Sequence, residues 1–380
     1  MQKIRKKVRA RHKLRKVGSR LSGKRTNSTA FILIIVTIVL AAFGLLMIFE
    51  ASAVSALRTF DDKFHFLRNQ GTWAIIGLVS MFLASRIDYR LYYSMSVFLL
   101  GGVILSLIMV FLPGIGLKVS GAHRWINLGF FNFQPTELAK LVLVIYLAAW
   151  FTHKEKSRLL SFGLLLLVVL GLIVLEPDLG TAIIIGAIAM VLYFLSGAPL
   201  IQFVLLIPVG VASVLLLALT SPYRYQRMMT FLKPGSDPLG ASYHVQQLLL
   251  GFGSGGWFGV GLGRSLQKFS YLPEATTDSI FSIVGEETGF IGASLVLLLY
   301  LVLIVVAFKV AVNSPTRFGQ LLAAGIASWI AIQTIINLGA AIALLPLTGV
   351  PLMLLSYGGS SLLVTFLGIG ILLNISKQSK

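Results

Sequence analysis

The sequence predicts an all-α, polytopic membrane protein of about ten transmembrane helices, with a large extracytoplasmic loop between helices 7 and 8. Three observations carry this. Hydrophobic residues make up 57% of the 380-residue chain and charged residues only 12%, against roughly 25% charged in a soluble domain. Mean hydropathy is +0.89. Apolar runs of about 17 to 25 residues, the length that crosses a bilayer, recur along the whole chain. The absence of Cys excludes a disulfide framework, a thiolate nucleophile and a Cys-ligated zinc site, and the five His residues are scattered.

The chain opens on a basic arm, residues 1–28, whose first 25 residues hold twelve Lys or Arg and no acid; twenty bases face thirteen acids elsewhere. Bases beside a first span stay inside, so the arm reads as a cytoplasmic topogenic or anionic-lipid-binding segment. It lacks the interleaved aromatics that stack nucleic-acid bases, so no nucleic-acid partner is expected. It is too long and basic for a signal n-region, and no small-residue cleavage site follows, so the first span is read as retained. Seven spans then occupy 29–219, at 29–57, 71–85, 91–112, 136–151, 159–175, 179–195 and 199–219. The 220–278 segment is too long for a connector and is dense in glycine, from Gly251 to Gly263, which marks it as a functional loop. Three further spans fill 279–376, at 279–307, 318–344 and 351–375, and 377–380 form a tail. The even span count returns the C-terminus to the cytoplasm, and the short turns on that side are mostly basic.

Polar residues at the edges of the apolar runs are the candidates for chemistry, because a charge near the bilayer centre costs on the order of 3 kcal/mol. Asp278 stands where the loop becomes a span, and it reads either as a helix N-cap or as a general base able to take a proton from a sugar hydroxyl. Glu274 lies four residues earlier and would stack on the same face if the helix began at Pro273, raising one of the two pKa values; it would equally complement a helix N-terminus. Glu286 and Glu287 lie roughly 12 Å further along the axis, one of them facing a polar interior. Glu137 and Lys140, three apart, share a helix face, as a neutralised pair that lets the helix insert or as a phosphate-binding Lys positioned by its acid. Lys118, His123, Arg124 and Trp125, with Arg224, Arg227, Arg264 and Lys268, place bases on the outer side, where an anionic ligand would account for them. Asp178 sits in a tight turn, and Ser356, Ser360 and Ser361 form a small-residue band that lines a cavity or lets helices pack closely.

Four motifs extend these readings: QPTELAK at 134–140, EPDLGTA at 176–182, GGWFGVGLGRSLQKFSYLPEATTDSIF at 255–281 and SYGGSS at 356–361. Together they resemble the shape, elongation, division and sporulation (SEDS) family, in the order of its ten-helix plan, and the wording around GWFGVGLG resembles the FtsW division branch more than the RodA elongation branch. The resemblance implies a peptidoglycan glycosyltransferase of the bacterial cytoplasmic membrane that polymerises lipid II at the outer face. It implies work beside a class B penicillin-binding protein and other division-complex membrane proteins. It places the essential acid at Asp278 and puts Gln134, Glu137, Lys140, Asp178 and Ser360 in motifs that line the family's cavity. Arg124, Lys140 and Arg264 would then meet the pyrophosphate, with Glu274 beside the base. A divalent cation, Mg or Mn, would stabilise the leaving pyrophosphate, though no ligand set is legible. The family commonly has His and Phe where this chain has Thr276 and Ser279. A His proton partner is therefore not expected, and turnover should be slower or lean on another group. Two other activities fit the same residues: a flippase of lipid-linked precursor, and a non-enzymatic scaffold for the transpeptidase.

Overall fold

A computed structural model describes residues 2–119, 122–129, 131–153, 158–233, 242–269 and 272–378, with backbone alone for 2–27. Twelve α-helices follow in order: α1 (Gln2–Phe60), α2 (His65–Ala84), α3 (Arg90–Met109), α4 (Pro135–Trp150), α5 (Leu159–Leu175), α6 (Leu179–Leu195), α7 (Leu200–Leu219), α8 (Pro222–Leu232), α9 (Tyr243–Gly255), α10 (Ile280–Asn313), α11 (Arg317–Ala341) and α12 (Gly359–Gln378). All but α8 and α9 fall on the ten expected apolar runs. Six helices meet both the length and the hydropathy that crossing a membrane requires: α1 from Ser28, α3, α7, α10, α11 and α12. The expected last span, 351–375, begins late. Residues 342–358 run without helix, and α12 starts at Gly359.

Packing is graded across the bundle. About three quarters of α12 and of α11 is buried, whereas α7 buries only Ala218. Residues α10, α11 and α12 contribute, such as Tyr300, Trp329 and Phe366, are almost wholly enclosed. Helix α12 lies along α2, where the Gly77 backbone seats the Phe366 ring. Local signals set several helix starts: Pro135 and Pro222 occupy first-turn positions whose amides need no partner, and Thr316 caps α11 by accepting from the Gly319 amide at 3.1 Å.

Between α3 and α4 the chain forms a small antiparallel sheet that the apolar pattern does not announce, β1 (Gly116–Val119), β2 (Ala122–Asn127) and β3 (Asn132–Phe133), in that order. Leu117 pairs with Trp125 and Lys118 with His123, so Arg124 is the extra residue of a bulge. Such a bulge re-aims its side chain.

The described residues of the 220–278 loop do not form a separate body. Helix α9 packs along the start of α10, where the Ser282 hydroxyl donates to the Leu248 carbonyl at 2.8 Å. The glycine-rich stretch then wraps the two acids of α10. Glu286 accepts from the Leu266 amide at 3.0 Å and from the Ser265 hydroxyl, Glu287 accepts from the Ser265 amide at 3.3 Å, and Lys268 lies 3.8 Å from Glu287 and 3.6 Å from Glu50 of α1. Both acids are buried, so both face the polar interior. On its outer side the same stretch exposes Trp257, Phe258, Leu262 and Leu266.

Gly259 (φ +80°) and Gly289 (φ +67°) meet back to back where α10 breaks its helical geometry; a Cβ on Gly259 would lie 2.1 Å from the Glu287 carbonyl oxygen. The contact and the backbone angle both require glycine. Gly259→Ala should destabilise the protein by about 1–3 kcal/mol, read as a lower melting temperature in detergent. Gly253→Ala, with nothing within 4 Å, should not.

Candidate active site around Asp278

The turn that carries Asp278 is held by its own backbone. Three successive carbonyls, those of Thr276, Thr277 and Asp278, accept from three donors on other elements: the Tyr357 amide at 2.8 Å, the Ser356 hydroxyl, and the Asn337 side-chain amide at 3.1 Å. Asn337 lies on α11 and also donates to the Val350 carbonyl at 2.8 Å. Gln70 of α2 secures the same segment, accepting from the Gly358 amide at 3.1 Å and donating to the Ser356 carbonyl at 3.3 Å. The 350–358 segment therefore clamps the turn to the bundle.

This arrangement corrects two sequence expectations. Asp278 is not a helix cap: the N-cap of α10 is Ser279, with no side-chain cap bond. Nor do Glu274 and Asp278 stack on one helix face, because the helix begins only at Ile280 and Glu274 occupies a turn with φ +49°. The carboxylates are coupled through Thr277 instead, whose hydroxyl lies 2.9 Å from Glu274 Oε2 and 3.4 Å from Asp278 Oδ1. Burial, reinforced by the Glu274 charge and opposed by Arg227 and the Thr277 hydroxyl, pushes the half-buried Asp278 carboxyl up to about 6. That is near the value a general base uses at neutral pH.

The expectation that no His stands near the base is also corrected. His244, in the first turn of α9, places Nε2 2.7 Å from Ser279 Oγ. Burial first, and the neighbouring Arg227 second, lower its pKa to about 4, so it is neutral at pH 7.

A second polar group lies below. Lys140 is fully buried on α4, its Nζ 2.8 Å from Glu137 Oε1 and 2.9 Å from Gln333 Oε1, with the Trp329 ring centroid 5.7 Å away. Gln333 also accepts from Trp329 Nε1 at 2.9 Å and donates to the Pro351 carbonyl at 2.9 Å. Gln134, at the N-cap of α4, donates its amide to Ser360 Oγ at 3.2 Å. Asp178 caps α6, accepting from the Thr181 amide at 3.1 Å and hydroxyl at 2.8 Å. Arg124, on its bulge, donates to the carbonyls of Glu176 (3.1 Å) and Pro177. Glu176 itself is buried, and burial with the nearby Asp178 charge, partly offset by Arg124, pushes its carboxyl up to about 9. It is a neutral acid at pH 7.

The residues thus fall into three groups: Glu274 and Asp278 with Arg227 and His244; Glu137 and Lys140 with Gln333, adjoining Gln134 and Ser360; and Arg124 with Asp178. Arg264 is exposed on the glycine-rich stretch, and among the described residues no hydrogen bond or ion pair joins it to Asp278. Sequence reasoning missed Trp329, Gln333 and Asn337, which stand at i, i+4 and i+8 and make one polar stripe on an otherwise apolar helix; that periodicity was the available signal. His244 carries no such signal.

A polytopic bundle with a carboxylate pair clamped in a turn beside its helix ends defines the class, a multi-pass membrane protein with a polar site at the end of its helices. The chain belongs to the FtsW/RodA/SpoVE family of cell cycle proteins, which it matches over residues 30–380. It is 40% identical over 360 residues to the stage V sporulation protein E of Bacillus subtilis, covering 93% of this chain and 98% of that protein. It is likewise 40% identical over 355 residues to the probable peptidoglycan glycosyltransferase FtsW of Trichlorobacter lovleyi, covering 92% and 93%. Among solved structures it is similar to a chain of a peptidoglycan synthase complex that coordinates polymerization and crosslinking, with TM-score 0.76, 30% identity and coverage of 91% and 97%. It is also similar to the rod shape determining protein RodA of Thermus thermophilus, with TM-score 0.68, 28% identity and coverage of 91% and 96%. The protein is a multi-pass membrane protein.

Removing one partner of a buried ion pair leaves an uncompensated charge and costs about 3–5 kcal/mol. Lys140→Met or Glu137→Gln alone should therefore lower the melting temperature in detergent sharply. The double variant should recover most of that loss.

Proposed function

We propose that this chain is a peptidoglycan glycosyltransferase that polymerises lipid II in cell division, with Asp278 as general base. The observation that carries the base assignment is the clamped, half-buried Asp278 held near pKa 6 beside Glu274, in a chain whose relatives are named as peptidoglycan glycosyltransferases. The acceptor sugar hydroxyl attacks the anomeric carbon of the donor, the bond to the lipid pyrophosphate breaks, and the hydroxyl proton passes to Asp278. A single displacement with one base inverts the anomeric centre.

Arg227, whose charge reaches both Asp278 and His244, is the base best placed near the leaving pyrophosphate. In this reading Lys140 holds the cavity together through Glu137 and Gln333. Among the described residues no three His, Asp or Glu gather. Mg or Mn would reach the site on the substrate's phosphates, the usual mode for Mg, with Glu274 as the nearest further carboxylate. The basic arm and the even span count put both termini in the cytoplasm and the 220–278 loop outside. A class B penicillin-binding protein is the natural partner, because the glycan made here needs cross-linking, and other division-complex membrane proteins would join them.

Purified protein with its transpeptidase partner should polymerise lipid II, and Asp278→Asn should lower the rate at least about a hundredfold while the complex stays intact. Normal polymerisation by Asp278→Asn would remove the base assignment. If the wild type makes no glycan, a flippase or scaffold role takes precedence.

The rate should also follow the ionisation of the base. Asp278 is active as the carboxylate, so kcat/KM should rise with pH through about 6 and level off above it. Glu274→Gln removes a like charge and should move that midpoint to lower pH, measured as the pH profile of initial rates.

A further inference from the structure

A cavity of about 230 Å³ opens between α8, α9 and the residues after α11, with Gln226, Arg227, Thr230, His244 and Leu347 in its wall. His244 and Arg227 both line this cavity, and His244 reaches toward the base through Ser279. Its Nε2 lies 2.7 Å from Ser279 Oγ, and Ser279 Oγ lies 3.5 Å from Asp278 Oδ1. Ser279 is buried at 1% exposure, so its hydroxyl has these two side chains in reach and little solvent. The second distance is at the long end for a hydrogen bond, as catalytic links often are in enzymes without substrate.

We propose that Ser279 and His244 form a proton relay that returns Asp278 to its carboxylate after each transfer, discharging the proton into the cavity. The inference rests on Asp278 being the base. Once Asp278 has taken the acceptor's hydroxyl proton, its carboxyl O–H points to Ser279 Oγ. Ser279 takes that proton as its own hydroxyl proton passes to His244 Nε2, with the imidazole in the tautomer protonated at Nδ1. Carboxylate, intact serine and imidazolium result, and the imidazolium loses its proton to solvent in the cavity. No electron changes hands.

The charged groups facing this chain are Arg227, which acts on both Asp278 and His244, and Glu274, which acts on Asp278. With Asp278 near 6 and His244 near 4, the passage to His244 is uphill by roughly a hundredfold. His244 therefore carries the proton only in transit, and the resting imidazole is neutral and ready to accept. Ser279 and His244 are positioning residues that act through Asp278.

The test measures kcat and KM for lipid II polymerisation by the purified complex. His244→Ala and Ser279→Ala should each lower kcat by about tenfold or more with KM kept, and the double variant should be no slower than the worse single. Added imidazole should restore His244→Ala and leave Ser279→Ala unchanged. His244→Gln keeps a hydrogen bond to Ser279 but cannot carry a proton, so it should be as slow as His244→Ala. Full kcat in His244→Gln, multiplying losses in the double variant, or no rescue by imidazole would each overturn the relay. Asp278→Asn run alongside separates the two readings: if it is inactive while the His244 variants turn over normally, the relay falls and the base stands, and if it is fully active, both fall.

Discussion

The side-chain amide of Gln333 is the joint on which the rest of this structure depends. A lysine with no exposure inside a membrane bundle must have its charge met and its remaining donors filled. Glu137 supplies the charge, and Gln333 Oε1 supplies an acceptor, shared with the Trp329 indole. The nitrogen of the same amide donates to the Pro351 carbonyl. One side chain thus joins α4, α11 and the segment that grips the Asp278 turn. Asn337, one turn further along the same face, holds that segment at Val350 and reaches the Asp278 carbonyl itself. The demand for partners in a low-dielectric interior is what fixes the position of a carboxylate at its edge.

The electrostatics of the outer end follow from that fixed position. Glu274 and Asp278 are kept near each other by the turn, and Arg227 stands close enough to moderate both the acid and the imidazole. A base of middling strength results, and its nearest imidazole is weaker still. The opposite solution appears at Glu176, where burial leaves an acid protonated and so removes a charge from a crowded turn. Burial therefore brings one carboxylate to about 6 and leaves another protonated at neutral pH.

Much of the architecture was legible because hydrophobic length is a strong local signal. The ten apolar runs coincide with ten helices, and Glu137 and Lys140 declare themselves a pair by spacing alone. The failures have physical causes. Asp278 reads as a cap because Asp before an apolar run normally is one, yet three carbonyl acceptors on distant donors draw its backbone out of the helix. The apolar run 351–355 reads as the start of the last span, yet residues 352–355 are buried in a non-helical clamp. The three-stranded sheet escaped notice because its strands are too short to show alternation. His244 is 34 residues from Asp278 in the chain, and only the packing of α9 on α10 brings them together.

The four apolar side chains on the outside of the glycine-rich stretch, Trp257, Phe258, Leu262 and Leu266, have a consequence for where the chemistry happens. Trp settles at the headgroup level of a bilayer and Phe and Leu on its apolar side, and the stretch that carries them is bound to Glu286 and Glu287, further along α10 from the Asp278 turn. They act as a depth gauge, setting the height of the carboxylate above the hydrocarbon. For the substrate proposed above, a lipid pyrophosphate held at one height by its own tail, the proposed base and the substrate share a plane only when the host film has the matching thickness. Turnover in different detergents or lipids should then differ through vertical alignment, with the reacting residues themselves unchanged.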